Sequence, residues 1–527
     1  MRQIRFLVCC MVLWGMSCLL HAQMLIVCAP EYMDEMKPFV TWKIQKGIPT
    51  QMVSMSEIGV SSEDLKTYVK QYYESHHNRY LLLVGDAAQI PVIYSYGITN
   101  PNPYTPYSDA EYGYISGDDY PPEILVGRFS AESAEDVRTQ VDRVIFYERD
   151  IDDTAAWLSE TIGIADPSST EKGDNDETDI VHIRGVNSVL GEYGYTAHEV
   201  SAKKRLIDLL NAGCGIVNYV GHGYMSSWST TGFSVSDMKL LSNKGKLPVI
   251  VSAACDNGKF IPGTCLSESF LRARNVDGDP IGAVGMLGFS SMATWNPLML
   301  AQDEIVRILT ASDIPGSKKT FGEITGMSYE KVIGRYKGSG EDAAKQWILF
   351  GDPSMLLRSK APEKMIVSHV NAADKGVSSL SVECDTEGAI AAISAGDELL
   401  DVRQIENGSA TFVFPAINRD EALLVTVTSF DKVAYQGQVI VGNGSGLLIS
   451  EKETVNIYPN PLRGEARITG INGSSVFASV YSHEGILIKK MEVNPPYSIS
   501  LNILPGTYFV RLQGDGIDVV RHILIVP

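Results

Sequence analysis

Short apolar runs alternate with amphipathic segments over the first 360 residues of the chain. Runs such as 24–28 and 247–253 are apolar on both faces, as are strands inside a parallel sheet. The segment that begins at Ser61 has helical spacing and carries Glu63 and Asp64 in its first turn, where acidic residues stabilise a helix. The alternation predicts an α/β fold with mostly parallel sheets.

The pattern divides into two α/β units, residues 24–150 and 151–361, which predict two subdomains of one large domain. The predicted strands are 24–28, 50–55, 80–86, 124–129, 161–165, 196–200, 215–220, 247–253 and 282–288. The predicted helices of the second unit include 179–193, 203–212, 265–274, 297–311, 321–336 and 340–349.

Helical periodicity ends near Pro362, and short alternating segments follow. Residues 362–443 predict a small β-sandwich of immunoglobulin type. A linker rich in glycine, 442–446, leads to a second β-rich module, predicted over 444–527.

The first 23 residues have the composition of a secretory signal peptide. Arg2 and Arg5 precede the apolar stretch 6–20, and a small-residue cleavage site follows at 21–23. A membrane anchor is the alternative, but this stretch is short for a span, and no later stretch is long and apolar enough. The sequence predicts export and no transmembrane segment after signal removal.

The formal net charge is −19 at pH 7. Such a surface argues against nucleic acid and anionic membranes as partners and favours basic ligands or cations. A charge that only keeps the protein soluble explains it equally well.

Five of the eight cysteines follow the predicted signal peptide, and five is an odd number for an exported protein. At least one is therefore free unless it pairs between chains, which points to a reactive thiol. Their wide spacing argues against a disulfide scaffold and a zinc site. They are Cys28, Cys214, Cys255, Cys265 and Cys384.

Two apolar strands of the second unit end in residues that carry chemistry. His222 lies between two glycines where the strand 215–220 ends, and Cys255 follows the strand 247–253. Ligands of parallel sheets bind at the carboxyl ends of the strands, so both residues lie where a site is expected. An imidazole beside a thiol accepts its proton and later donates one to a leaving amine.

The backbone amides of Cys255 and Gly223 are candidates to bind the oxyanion of the tetrahedral intermediate. The pattern also allows a structural interpretation. A cysteine in a strand is usually an inert small hydrophobe, and a histidine at a strand end is often a turn residue.

Several segments resemble the gingipains, the C25 family of caspase-like cysteine peptidases secreted by Bacteroidetes. The resemblance extends from Met24 to about Ser359 and includes the interval between the histidine and the cysteine. The segments are 109–119 (DAEYGYISGDD), 126–130 (VGRFS), 139–143 (TQVDR), 147–149 (YER), 221–223 (GHG) with Trp228, 254–258 (ACDNG) and 350–354 (FGDPS).

The resemblance implies a caspase-like catalytic domain without a catalytic cofactor. It makes His222 the general base and Cys255 the nucleophile, and it implies an upstream acid that assists the histidine. Asp166 matches that acid, although a solvated helix cap is an equal alternative for it.

The resemblance also implies cleavage of proteins or peptides after arginine or lysine. Asp179 matches the residue that selects the basic side chain, although it also suits a helix N-terminus. Ala293 occupies a pocket position where it offers neither an acid nor an amide. Trp228, Trp295 and Met299 would form apolar pocket walls.

Structural calcium is a further implication, because hard carboxylate oxygens in irregular loops suit this ion. One set matches at Asp86, Asp119 and Glu123, with backbone oxygens from Ser116 and Pro121. A second set matches at Glu177 and His182. Acidic loops without a metal are the alternative.

The last module resembles the sorting domain of type IX secretion through 457–461 (IYPNP), 506–510 (GTYFV) and 523–527 (ILIVP). This resemblance implies export through the periplasm of a Gram-negative bacterium to the cell surface or the medium. The type IX machinery would then be a partner. A β-sandwich without an address function is the alternative.

Two other functions suit the same residues. A transpeptidase would pass the acyl group from Cys255 to an amine instead of water, as a much larger relative in the secretion pathway does. A catalytically silent surface protein would use the fold for binding, but the presence of His222, Cys255 and the glycines flanking the histidine argues against it.

Overall fold

The computed structural model describes residues 23–95, 105–117, 121–442, 448–450, 456–458, 462, 464–469, 476–482, 486–495, 497–514 and 517–525. The predicted signal peptide lies outside these residues except for Gln23, and so does Asp119. Among the described residues, no helix combines the length and the apolar character needed to cross a membrane.

Both predicted α/β units contribute to one sheet of ten strands. The strands are β1 (Met24–Cys28), β2 (Thr50–Ser54), β3 (Tyr80–Val84), β4 (Leu125–Phe129), β5 (Glu160–Ile164), β6 (Thr196–Val200), β7 (Ile216–Val220), β8 (Val249–Ala253), β9 (Gly285–Phe289) and β10 (Trp347–Phe350). Their spatial order is β2-β1-β3-β4-β10-β9-β8-β7-β5-β6.

The strand β10 joins the two units. It pairs in parallel with β4 of the first unit and antiparallel with β9 of the second. The strands of the two units therefore run in opposite directions, and their carboxyl ends lie at opposite edges of the sheet. The predicted helix 340–349 is wrong at its end, because the helix Gly338–Gln346 stops where the buried run of β10 begins.

Helices cover both faces of the sheet and bury its apolar side chains in separate clusters. The α-helices are Lys37–Gln45, Met55–Ile58, Ser62–His76, Ala134–Ile145, Asp179–Tyr193, Lys203–Ala212, Leu266–Arg272, Trp295–Thr310, Phe321–Tyr336 and Gly338–Gln346. Ser61 caps the helix Ser62–His76 through a capping box with Asp64, as its sequence indicates.

Two sheets form the immunoglobulin-like sandwich, with alternating buried and exposed side chains along strands such as Val377–Cys384. One sheet contains Ser409–Ile417, Val377–Cys384, Val367–Val370 and Leu448–Ser450, and the other contains Ala372–Asp374, Tyr435–Gly442, Glu421–Thr428, Ile390–Ala395 and Glu398–Gln404. Since Leu448–Ser450 belongs to this sandwich, its sheet reaches beyond the predicted boundary at residue 443.

The last module consists of two antiparallel sheets around a smaller core. The three-stranded sheet contains Asn456–Tyr458, Glu465–Thr469 and Ser498–Ser500. The four-stranded sheet contains Leu487–Val493, Val476–Ser482, Gly506–Gly514 and Ile517–Ile525.

Candidate active site

The register of two neighbouring strands brings the candidate dyad together. β7 and β8 pair in parallel with Val220 opposite Ala253. His222 and Cys255 each follow these paired residues by two positions. Because neighbouring strands lie about 4.8 Å apart, the two residues lie close together at one edge of the sheet.

Gly223 allows the loops after these strands to approach closely. A Cβ atom at this position would lie 2.6 Å from the carbonyl oxygen of Cys255 and 2.8 Å from the Cβ atom of Ala254. Asn257 Nδ2 also donates to the carbonyl of Tyr224 at 2.7 Å. The histidine and cysteine loops are therefore held as one unit, and a larger residue at Gly223 would force them apart.

The chain turns sharply after the candidate nucleophile. Asp256 adopts a left-handed conformation with φ 57°, which aspartate tolerates better than most residues. Its amide donates to the carbonyl of Ser291 at 2.9 Å. This bond ties the cysteine loop to the segment that follows β9.

Cys255 is the least buried of the five cysteines in the described residues, all of which are unpaired. Partial burial raises the pKa of its thiol above the usual value, and the amide of Ala293, 3.3 Å from Sγ, opposes this shift. Burial therefore disfavours the thiolate form, and a neighbouring base would favour it. Ala293 was predicted as a pocket residue. The contact of its amide with the thiol was not predicted, because Ala293 follows β9 and not one of the two strands that carry the dyad.

His222 lies at the surface, with 61% of its side chain exposed. Its Nε2 atom is 3.3 Å from the carboxylate of Glu171. The edge of one ring meets the face of the other between His222 and Trp295, with centroids 4.9 Å apart. A carboxylate and an indole therefore restrict the orientation of the imidazole.

Asp166, the predicted partner of the histidine, has a different hydrogen-bond partner. Its carboxylate accepts from the amide and the hydroxyl of Ser168 at 2.8 and 2.7 Å. These bonds lower the pKa of Asp166, and the charge of His222 contributes least to that shift. Its role stays a prediction, while Glu171, which sequence reasoning missed, is the carboxylate next to the imidazole.

Replacing Glu171 with glutamine is expected to lower kcat/KM about five- to tenfold for any cleaved peptide. The effect is modest because both side chains are about half exposed, where water screens the charge. Asp166→Asn is the matched control and should change the rate less than twofold. Steady-state kinetics on the two variants measures both effects. A larger loss of kcat/KM in Asp166→Asn than in Glu171→Gln would make Asp166 the assisting acid.

Asp179 forms the inner wall beside the dyad. It is the first residue of the helix Asp179–Tyr193 and is buried, and its carboxylate accepts from the indole nitrogen of Trp295 at 2.8 Å. Burial raises the pKa of Asp179, opposed by hydrogen bonds from Trp295 and Ser169. Of the predicted pocket residues, Asp179 and Trp295 thus lie together next to His222.

Two predicted pocket walls lie behind the site instead. Trp228 is completely buried, stacks on Tyr219 with ring centroids 4.9 Å apart and donates to the hydroxyl of Ser252. Met299 is also completely buried, beneath the backbone of Gly173. The prediction that these two side chains line the pocket is wrong, because neither has surface that a substrate can touch.

The helix Trp295–Thr310 is anchored directly to the two strands of the dyad. The amide nitrogen of Gln302 donates to the carbonyls of Tyr219 in β7 and Val251 in β8, at 3.0 and 3.1 Å. The amide oxygen of Gln302 pairs with His182 Nε2 at 3.1 Å. This buried network fixes the helix that carries Trp295 relative to His222 and Cys255.

The first predicted calcium set is wrong as a single site. Asp86 follows the carboxyl end of β3, whereas Glu123 precedes the amino end of β4, and these strands pair in parallel. The two carboxylates are therefore roughly 25 Å apart. The carboxylate of Glu123 instead accepts from the amides of Ile115 and Ser116.

The second set brings together Glu177 and His182, whose Nδ1 is 3.7 Å from the carboxylates of Glu177 and Asp303. Burial lowers the pKa of His182 to about 4, so the imidazole is neutral. Within the described residues, no group of three or more histidine, cysteine or acidic side chains is arranged to hold a metal ion. Calcium at the second set stays a prediction.

Family models match almost the whole chain. The model of peptidase family C25 matches residues 19–358, and that of the C-terminal Ig-like domain of this family matches 368–442. The model of the secretion system C-terminal sorting domain matches 456–526. The predicted order of modules agrees with these matches.

Gingipain R1 from Porphyromonas gingivalis is 36% identical over 425 residues, which cover 78% of this chain and 42% of the relative. Lys-gingipain from the same species is 26% identical over 285 residues, which cover 52% of this chain and 16% of the relative. The chain therefore spans less than half the length of both relatives.

The crystal structure of the Arg-specific cysteine proteinase gingipain R has a TM-score of 0.76 and 34% identity to this chain. The match covers 80% of this chain and 98% of that structure. It confirms the predicted fold class, an α/β catalytic domain followed by a β-sandwich. Together with the family model that spans more than half of the chain, this match shows that the protein belongs to peptidase family C25.

Proposed function

We propose that the protein is an exported cysteine endopeptidase that cleaves peptide bonds after arginine. The observation that supports the proposal most is the register of β7 and β8, which brings an exposed histidine and a partly buried cysteine to neighbouring positions at one edge of the sheet. Glu171 and Trp295 orient that imidazole. A site built only for binding has no need of this arrangement.

The reaction proceeds in two steps, acylation of Cys255 and hydrolysis of the resulting thioester. His222 accepts the proton of the Cys255 thiol as the sulfur attacks the scissile carbonyl carbon, a transfer that offsets the effect of burial against the free thiolate. When the C–N bond breaks, the protonated His222 gives its proton to the leaving amine, and a thioester remains. His222 then takes a proton from water as the water oxygen attacks the thioester carbon. The C–S bond breaks, the carboxylic acid product leaves, and that proton returns to the thiolate of Cys255.

The amides of Cys255 and Gly223 stay the candidates for binding the oxyanion of each intermediate. Both lie in the pair of loops that Asn257 holds together. Donors fixed in this way need little reorganisation during the reaction, which is the condition for effective electrostatic stabilisation.

Asp179 supports a basic side chain at P1. Its carboxylate is buried beside the dyad, where a guanidinium would meet an acceptor that water screens little. Arginine is favoured over lysine because gingipain R1 matches this chain with higher identity and over more of its length than Lys-gingipain does. The net charge of −19 also favours basic substrates.

Export belongs to the same proposal. The match to a secretion system sorting domain supports delivery by the type IX machinery to the cell surface or the medium. The module has its own core, whose residues include Val476, Val510 and Ile523. Such a module can present its surface to the machinery without help from the catalytic domain.

An arginyl chloromethyl ketone is expected to alkylate Cys255 and to stop cleavage. The reagent places its guanidinium in the proposed P1 pocket and its electrophilic carbon at the thiol. Mass spectrometry of the digested protein should find the adduct on Cys255 alone, because the other four described cysteines are buried. An aspartyl chloromethyl ketone is the control and should react far more slowly.

Other outcomes of this experiment identify the alternatives. A protein that is neither labelled nor able to cleave arginyl or lysyl peptides would be a surface binding protein. A protein that is labelled but transfers the acyl group to an added amine in preference to water would be a transpeptidase.

A further inference from the structure

Two large apolar side chains lie exposed next to the dyad. Tyr224 follows His222 by two residues, and 64% of it is exposed. Met292 directly precedes Ala293, whose amide contacts the sulfur of Cys255, and 83% of it is exposed. Exposed apolar groups of this size that flank a candidate nucleophile are candidates to contact a bound substrate.

The order of the strands places these residues on opposite sides of the nucleophile. β8 pairs with β7 on one side and with β9 on the other. Tyr224 belongs to the segment after β7, and Met292 belongs to the segment after β9. Their backbones are therefore roughly 10 Å apart, with the cysteine loop between them.

Both segments are fixed to the cysteine loop. The carbonyl of Tyr224 accepts from Asn257 Nδ2 at 2.7 Å, and the carbonyl next to Met292, that of Ser291, accepts from the amide of Asp256 at 2.9 Å. Met225 packs against the core, so the exposure of Tyr224 belongs to that residue and not to the whole loop. The backbone at both positions is thus tied to the loop that carries Cys255.

An extended peptide advances about 3.4 Å per residue, and successive side chains point to opposite sides. A substrate that runs across the strand ends with its scissile carbonyl over Cys255 would therefore pass both fixed segments within two residues of that bond. The arginine of such a substrate is directed to Asp179. The side chains of the residues on either side of the arginine are then the ones that meet the segments after β7 and β9.

We infer that Tyr224 and Met292 form apolar subsites for the substrate residues adjacent to the cleaved arginine. The inference rests on the proposed function and deepens it. The preferred substrates carry a bulky apolar residue, such as leucine or phenylalanine, at P2 or P1′. Burying that side chain removes its apolar surface and the exposed surface of the subsite from water in one step.

The experiment uses internally quenched peptides with a single arginine. Residue P2 and residue P1′ are varied separately between glycine and leucine, and the ratio of kcat/KM for the two peptides is measured at each position. The wild-type ratio is expected to be about tenfold at one position or both. Tyr224→Ala and Met292→Ala should each lower a ratio to about twofold, and a general loss of catalysis cancels within each ratio.

Val276→Ala is the matched control. Val276 is completely exposed, but it lies between the helix Leu266–Arg272 and β9, at the opposite edge of the sheet. Its variant should keep the wild-type ratios. Two results would overturn this inference and leave the proposed function in place. They are a leucine-to-glycine ratio of kcat/KM near one in the wild type, and unchanged ratios in both Tyr224→Ala and Met292→Ala. If the wild type fails to cleave even a single-residue arginyl amide, the proposed function fails as well.

Discussion

Replacing Cys255 with alanine is expected to lower kcat/KM for arginyl peptides by about 10⁴-fold or more. The substitution removes the sulfur that forms the thioester, and the other four cysteines in the described part of the chain are buried. Fluorogenic arginyl peptides measure the loss. Far-UV circular dichroism and a thermal melt of the same preparation show whether the fold is kept.

Cys384→Ala is the control for this prediction. Cys384 is buried in the strand Val377–Cys384 of the immunoglobulin-like sandwich, away from the catalytic sheet. Its variant should retain full activity and react with the arginyl chloromethyl ketone as the wild type does. A Cys255→Ala variant that remains active or labelled would move the nucleophile to another residue.

Much of the α/β fold is predictable from local pattern. The strands Met24–Cys28 and Thr196–Val200 and the helices Asp179–Tyr193 and Phe321–Tyr336 have the predicted bounds, because each is one uninterrupted run of its own pattern. The strand Trp347–Phe350 is not predictable in this way. Its four apolar residues continue an amphipathic helix without a break, and only pairing with strands distant in sequence makes them a strand.

The dyad is predictable because strand ends are visible in the sequence, and parallel pairing brings such ends together. Glu171 is not, since it lies in a loop without periodicity. That loop is held in place by long-range contacts, including those of Gly173 with Met299 and of the Asp174 carboxylate with Arg335. A loop shaped by tertiary packing leaves no local signal of where its side chains point.

The errors among the site residues have one physical origin. Trp228 was expected to form a wall of the substrate pocket, but it is buried in an aromatic cluster with Phe233 and Phe270. Asp86 and Glu123 were expected to share an ion, yet parallel strands carry them to opposite edges. In each case the residue type suits the predicted role, and its position in three dimensions excludes it.

Replacing Asp179 with asparagine is expected to lower kcat/KM for arginyl peptides about 100-fold. Asparagine keeps the size of the side chain and an oxygen that accepts from the indole of Trp295, but it removes the negative charge. A guanidinium transferred into a buried site then lacks its counter-charge, which costs about 2–5 kcal/mol. kcat/KM for peptides with a neutral P1 residue should fall much less, so the variant loses its preference for arginine more than its catalytic activity.

The pH dependence of the wild type supplies a second measurement. Burial raises the pKa of Asp179, so its negative charge is lost at a higher pH than that of an exposed aspartate as the solution is acidified. KM for arginyl peptides should therefore increase as the pH falls, and in Asp179→Asn this increase should vanish. Asp176→Asn is the control, because Asp176 is an exposed acid in the loop just before Asp179 and pairs with Lys172.

An equal loss of kcat/KM on arginyl and neutral peptides in Asp179→Asn would assign Asp179 a structural role. A residue that only supports the dyad affects the cleavage of every substrate alike.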